Sequence, residues 1–217
     1  MTFESQAQQQ MISQQLRCWS VLDQRVLTSM AETPRELFVP LAYRDLAFAD
    51  TSIPLADGQI TLPPKLEGRL LQALALQPSD LLLVIGAGDG YVLACAAKLA
   101  RQVRCIEVNS NLAAAARQNL LTAAINNVSI EVRDGSKLDE SGAFDAILVT
   151  GSLPVYDPRF ERALRHGGRL VVITGDAPVM QVTKVTRLGE SQWHREVLFE
   201  TVIPPLPLAT KRPAFVF

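Results

Sequence analysis

A chain of 217 residues with 48% hydrophobic and 20% charged content is long and apolar enough to bury a substantial core, which excludes a disordered or fibrous protein. Its formal charge of -1, with no run of about five or six like charges, gives no electrostatic footprint for nucleic acid or an anionic membrane. The start MTFESQAQQQ lacks the basic and apolar regions of a signal peptide, and no apolar run approaches roughly 18 residues. The cysteines Cys18, Cys95 and Cys105 are isolated and odd in number, so the expectation is a cytoplasmic protein with buried, reduced thiols.

In chain order, residues 5–19 and 22–31 carry apolar positions at helical spacing (Met11, Leu16 and Trp19, then Leu22, Val26, Leu27 and Met30), which predicts two short helices. From Arg35 to Pro64 the prolines and Gly58 interrupt short apolar pieces, so ordered loop is expected, and a loop of that length in a compact domain usually has a use. A helix is predicted over 65–76. Strand 81–85, helix 91–100, strand 103–108, helix 111–124, strands 128–132 and 144–149, helix 158–164 and strand 169–174 follow. Short apolar strands alternating with helices indicate a parallel sheet covered on both faces. Segments 179–188 and 194–203 alternate in polarity around Gly189, which predicts a closing antiparallel hairpin.

In LLLVIGAGDGY, Gly86, Gly88 and Gly90 follow the first strand and precede a helix, the place where open α/β sheets bind ligands. Glu107 ends the next strand about twenty residues on, where an acid grips ribose hydroxyls. A dinucleotide would rest its diphosphate against this turn, but Asp89 would repel it. The same carboxylate is compatible with S-adenosylmethionine, which has no phosphate and carries sulfonium and ammonium cations. Asp134-Gly135 follows the third strand, where the carboxylate could accept a hydrogen bond from an adenine amino group.

IGAGDGY, CIEVNSNLAAAARQNL, VRDG and FDAILVTGSLPVYDPRFERALRHGGRLVVITG resemble the nucleotide-binding half of class I methyltransferases. The leader MISQQLRCWSVLDQRVLTSMAETPRELFVPLAYRDLAFADTSIPLADGQ is similar almost throughout to that of the protein-L-isoaspartate O-methyltransferases, and the likeness runs to the tail FETVIPPL. The resemblance implies a doubly wound, mainly parallel seven-stranded sheet with an N-terminal helical extension (1–64) packed as one unit with the cofactor-binding domain (65–217). It implies methylation of isoaspartyl carboxylates in damaged proteins, with S-adenosylmethionine as methyl donor. Assigned to that cofactor are Gly86, Ala87, Gly88, Asp89, Gly90, Glu107, Val108, Asp134, Gly135 and Thr150. Asp50, Gly58, Gln59 and Pro64 fall to the substrate, the segment around Gly58 to Pro64 closing over it.

In the family that segment usually reads Gly-Gln-Thr-Ile-Ser-Gln-Pro, with the serine hydroxyl beside the methyl group. Here Leu62 stands at the serine position, and a one-residue adjustment would bring in Thr61. Thr150 and Ser152, after the fourth strand, are further candidates for the missing hydroxyl. Val84 occupies a position where relatives commonly carry a glutamate facing the cofactor ammonium, so weaker cofactor binding is expected. These departures motivate two alternatives: a relative with a binding or regulatory role and no repair activity, or an enzyme for another acceptor. His166 is expected to cap a helix C-terminus. No segment reads as an obligate dimer surface, and a monomer without nucleic-acid or membrane partners is expected.

Overall fold

The computed structural model describes residues 3–207. Seven strands form one sheet in the order β3-β2-β1-β4-β5-β6-β7. They are β1 (Leu81–Ile85), β2 (Gln102–Glu107), β3 (Val128–Val132), β4 (Phe144–Leu153), β5 (Leu164–Asp176), β6 (Val179–Arg187) and β7 (Trp193–Thr201). Pairing is parallel from β3 through β5 and antiparallel from β5 to β7. The expected mainly parallel sheet and closing hairpin are therefore present.

The helices are α1 (Phe3–Gln10), α2 (Gln24–Ala31), α3 (Pro64–Leu74), α4 (Tyr91–Ala97), α5 (Ser110–Thr122) and α6 (Pro158–Arg162). Successive strand residues point to opposite faces. Leu82 and Val84 accordingly join one buried cluster with α2 to α5, while Leu83 and Ile85 join another with Phe160 of α6. Leu70 and Leu74 of α3 are fully buried, and burying such side chains stabilises by about 1.5–3 kcal/mol each. Glycine at 68 lets α3 approach the N-terminal segment, since a Cβ there would sit 3.1 Å from Val21 and 3.3 Å from Leu16 and Met30.

Several expectations are corrected. The predicted first helix is present, but its winding changes along its length, continuing from α1 as a wider turn over Met11–Leu16 and a tight one over Arg17–Trp19. The predicted helix 158–164 stops at Arg162, because β5 already begins at Leu164 to pair with Phe144. His166 thus lies in β5, and its Nε2 sits 2.8 Å from the Leu188 carbonyl oxygen rather than capping a helix. Cys95 and Cys105 are buried but Cys18 is exposed, since it lies on the outward side of the tight turn. No helix among the described residues is long and apolar enough to cross a membrane, and no group of acidic, histidine or cysteine side chains there is arranged to hold a metal.

Candidate active site

The carboxyl ends of β1 and β4 open onto a narrow cavity of about 80 Å³. Its floor is the turn after β1. Gly86, Gly88 and Gly90 have φ of 98°, 55° and 91°, values that favour glycine. A Cβ at Gly86 would lie 2.2 Å from Thr150 Oγ1, whereas one at Gly88 would meet nothing within 4 Å and would fill open space. Gly90 serves packing instead, facing Ala116 of α5 at 3.3 Å.

Glu107 ends β2 and is buried. Its Oε2 accepts from the Ala87 amide at 2.7 Å and its Oε1 from the Asn109 amide at 2.9 Å, so this one carboxylate orients both the glycine turn and the turn into α5. Thr150 lines the cavity, its Oγ1 lying 3.0 Å from the Ile85 and 3.1 Å from the Gly86 carbonyl oxygens.

The lip over the cavity is a small hairpin. Leu55 donates to Gln59 at 2.7 Å, Thr61 to Ile53 at 2.9 Å, and Pro54 bridges Ile60. Asp57, with φ of 55°, accepts from the Asn109 and Asn111 side chains at 2.8 and 3.1 Å, pinning the lip to the start of α5. Gln59, Ile60, Thr61 and Leu62 line the cavity. Thr61 Oγ1 accepts from the Ile53 amide at 2.9 Å in a buried position, so the hydroxyl organises the hairpin. Leu62 packs against the core and its carbonyl oxygen accepts from Arg35 at 3.1 Å.

The structure brings Gln59, Thr61, Leu62, Gly86, Ala87, Gly88, Asp89, Glu107 and Thr150 to this cavity. The others lie outside its lining. Asp134 caps the turn over Gly135–Lys137 through a 2.8 Å bond from the Ser136 amide, and the Ser136 side chain, with that amide behind it, lowers its pKa. Gly135 is buried beneath that turn, Val108 is exposed, Gly58 shapes the lip and Pro64 is the buried first residue of α3. Asp50 pairs with Lys65 at 2.7 Å, and Lys65 lies 4.2 Å from the centre of the Trp19 ring. Ser152 donates to the Ile203 carbonyl at 3.3 Å, so its hydroxyl holds the C-terminal segment. Val84 is fully buried and does not reach the cavity.

Two features were not anticipated. The first is the segment after β7, whose Leu206 packs over the β1 and β4 turns, with Cδ2 3.2 Å from an ideal Cβ at Gly86 and 2.9 Å from one at Gly151. The second is a buried charge cluster. Arg35 and Glu67, each 1% exposed, form an ion pair; Asp89, 6% exposed, lies beside them, and Arg35 sits 4.5 Å from the Tyr91 ring centre. Burial pushes the Glu67 carboxyl up to about 8, against the opposing pull of Arg35, and burial also raises Asp89. A sequence signal for Glu67 existed: it falls on the apolar stripe of α3 with Leu70, Leu71 and Leu74.

A second cavity of about 280 Å³ lies across a wall made by Ile60, Leu62, Ile203 and Pro204. Lys65, Arg69 and Glu200 line it, the Arg69 guanidinium lying 3.8 Å from the centre of the Phe199 ring, and no carboxylate forms an ion pair with Arg69 among the described residues.

A doubly wound sheet with an acid-lined glycine turn at the ends of β1 and β2, and a separate cavity beyond a lip, puts the site where open α/β sheets bind their ligands. The family model for Protein-L-isoaspartate(D-aspartate) O-methyltransferase matches residues 6–206, and the chain belongs to that family. It is 38% identical over 197 residues to the protein-L-isoaspartate O-methyltransferase of Koribacter versatilis (strain Ellin345), covering 90% of this chain and 88% of that one. To the enzyme of that name from Roseiflexus castenholzii (strain DSM 13941 / HLO8) it is 37% identical over 172 residues, 79% of each chain. The fold is similar to that of a Plasmodium falciparum chain described as a beta-aspartate methyltransferase in complex with S-adenosyl-L-homocysteine. That similarity has a TM-score of 0.79 at 18% identity, covering 96% of this chain and 100% of the other.

Proposed function

We propose that the protein transfers a methyl group from S-adenosylmethionine to the side-chain carboxylate of isoaspartyl residues in damaged proteins. The observation that carries this reading is the cavity itself: glycines that leave room at Gly88, buried acids, and a second cavity across Leu62 whose lining holds Lys65 and Arg69 against a single acid, Glu200. The lining suits a ligand that is cationic and free of phosphate, since Glu67, Asp89 and Glu107 line the cavity and no lysine, arginine or histidine does. When bound, S-adenosylmethionine supplies an electrophilic methyl group on a sulfonium centre.

The chain's own part is binding and alignment. Each Glu107 oxygen accepts one amide and keeps lone-pair capacity for a ribose hydroxyl. Gly86 to Asp89, Gln59, Thr61 and Thr150 surround the ligand, and Asp134 and Gly135, which do not line the cavity now, would be reached only by the outer end of an adenine. The acceptor carboxylate is already an anionic nucleophile, so no protein base is needed and the rate rests on orientation and the exclusion of water. Lys65 and Arg69 place positive charge where that carboxylate would enter, with Asp50 holding Lys65. The cavity of about 80 Å³ is below the range of about 300–1,000 Å³ common for ligand sites, so binding requires the lip or the Leu206 segment to shift.

Unpaired, buried Cys95 and Cys105 support a reducing, cytoplasmic setting, and the near-neutral charge supports a protein rather than a nucleic-acid partner. Leu62 favours a second reading, a family member acting on another acceptor or without repair activity, because it offers no hydroxyl to the cavity and the neighbouring Thr61 oxygen already accepts from the Ile53 amide. Purified protein incubated with S-adenosylmethionine and either an isoaspartyl peptide or small carboxylates separates the two. A base-labile methyl ester on the isoaspartyl peptide supports the first reading, and esters on small carboxylates alone overturn it.

A further inference from the structure

Beneath the glycine turn the cavity wall holds two acids and one cation. Glu67 comes from α3, Asp89 from the turn itself and Arg35 from the loop after α2, and all three side chains are more than nine-tenths buried. Both acids line the cavity and Arg35 does not. The oxygens are unequally served. Glu67 Oε2 receives Arg35, Asp89 Oδ1 accepts from the Tyr91 amide at 2.9 Å, and Asp89 Oδ2 is buried with no hydrogen-bond partner. An unpartnered buried oxygen of this kind is destabilising, the more so if it is charged. Tyr91 and Cys95, the other titratable groups against the cluster, stay protonated and neutral because burial raises both, so neither adds a charge to it.

One guanidinium facing two carboxylates leaves the wall one positive charge short. We propose that Glu67 and Asp89 together form the recognition site for a primary ammonium group, that of the amino-acid portion of the methyl donor. The assignment rests on the reading that this cavity takes S-adenosylmethionine, and it adds Glu67 to that site. A ligand ammonium would supply the missing charge and give Asp89 Oδ2 a donor, at a charge-assisted bond stronger than a neutral one. Until it arrives the pair retains a proton at neutral pH, consistent with the upward displacement of both carboxyls by burial. Arrival of the cation then displaces that proton into solvent, so recognition is coupled to proton release.

The test is calorimetry on the full chain at pH 7 in buffers of different ionisation enthalpy, which reads binding and proton exchange together. Three probes separate the chemistry: S-adenosylmethionine, S-adenosylhomocysteine, which keeps the ammonium but has no sulfonium, and methylthioadenosine, which has neither. The expected result is proton release with the first two and none with the third. Glu67→Gln and Asp89→Asn should each abolish the release and weaken the first two by tenfold or more, while methylthioadenosine binds unchanged and so reports an intact fold. Binding of S-adenosylmethionine to the wild type without proton release, or equal weakening of all three probes in both variants, overturns the inference alone. Failure of the wild type to bind any of the three overturns the functional reading as well.

Discussion

Arg35 donates to the carbonyl oxygen of Leu62 at 3.1 Å, which ties the lip to a buried cation whose other terminal nitrogen holds Glu67. Removing one partner of a buried ion pair typically destabilises by about 3–5 kcal/mol, because the other charge stays behind. Arg35→Met should therefore lower the urea midpoint, by less at neutral pH than in alkali, because the Glu67 carboxyl, raised by burial, takes up a proton once its partner is gone. It should also loosen the lip, seen as faster amide exchange at Thr61. An unchanged midpoint would mean the pair is not maintained in solution.

The same cluster sets a pH dependence. The Glu67 carboxyl is displaced upward from 4.5 to about 8, mainly by burial. A carboxyl raised on folding contributes stability that is fully present below its unfolded pKa and is lost as pH rises through the folded one. Wild type should thus lose stability relative to Glu67→Gln between pH 4.5 and about 8. Chemical denaturation of both proteins at either end of that window checks this, and a difference independent of pH would contradict it.

Leu62 separates the two cavities without offering a hydrogen bond to either. Leu62→Ser places a donor there, and a bond to a charged group is worth about 1.5–3 kcal/mol, or roughly tenfold or more in rate if it is realised in the transition state. We expect kcat/KM for an isoaspartyl peptide to rise, with a modest fall in melting temperature from the lost packing. A drop in kcat/KM at full folding would show that the leucine itself shapes the acceptor site.

Leu206 fills space over Gly86 and Gly151, and its backbone amide donates to the Ser152 carbonyl at 3.0 Å, which keeps it there. Leu206→Ala retains the backbone bond and opens the cavity. S-adenosylmethionine should then associate several-fold faster in stopped-flow measurements; unchanged association would mean that the lip moves instead.

Strands β1 to β3 and the helices between them were legible because each is a local hydrophobic pattern bounded by turn residues. The glycine turn and Glu107 were legible for the same reason, being set by short spacing after a strand. The end of α6 was misread because pairing of Leu164 with Phe144, a tertiary contact, overrides helical periodicity there. Asp134 was placed at the site from its strand end, yet its carboxylate is engaged by its own turn at Ser136. Arg35 and Glu67 lie 32 residues apart, and nothing local announces that two charged groups on apolar stretches will meet. Thr61 was a candidate hydroxyl from sequence position, but the hairpin that claims it depends on Ile53 folding back across the lip.

The most direct measurement is the initial rate of methyl transfer from labelled S-adenosylmethionine to two peptides that differ only in whether one residue is isoaspartyl or aspartyl. Base-labile methyl incorporation into the isoaspartyl peptide far above the aspartyl control is the predicted result. Equal incorporation into the two, or none into either at saturating S-adenosylmethionine, would contradict the account.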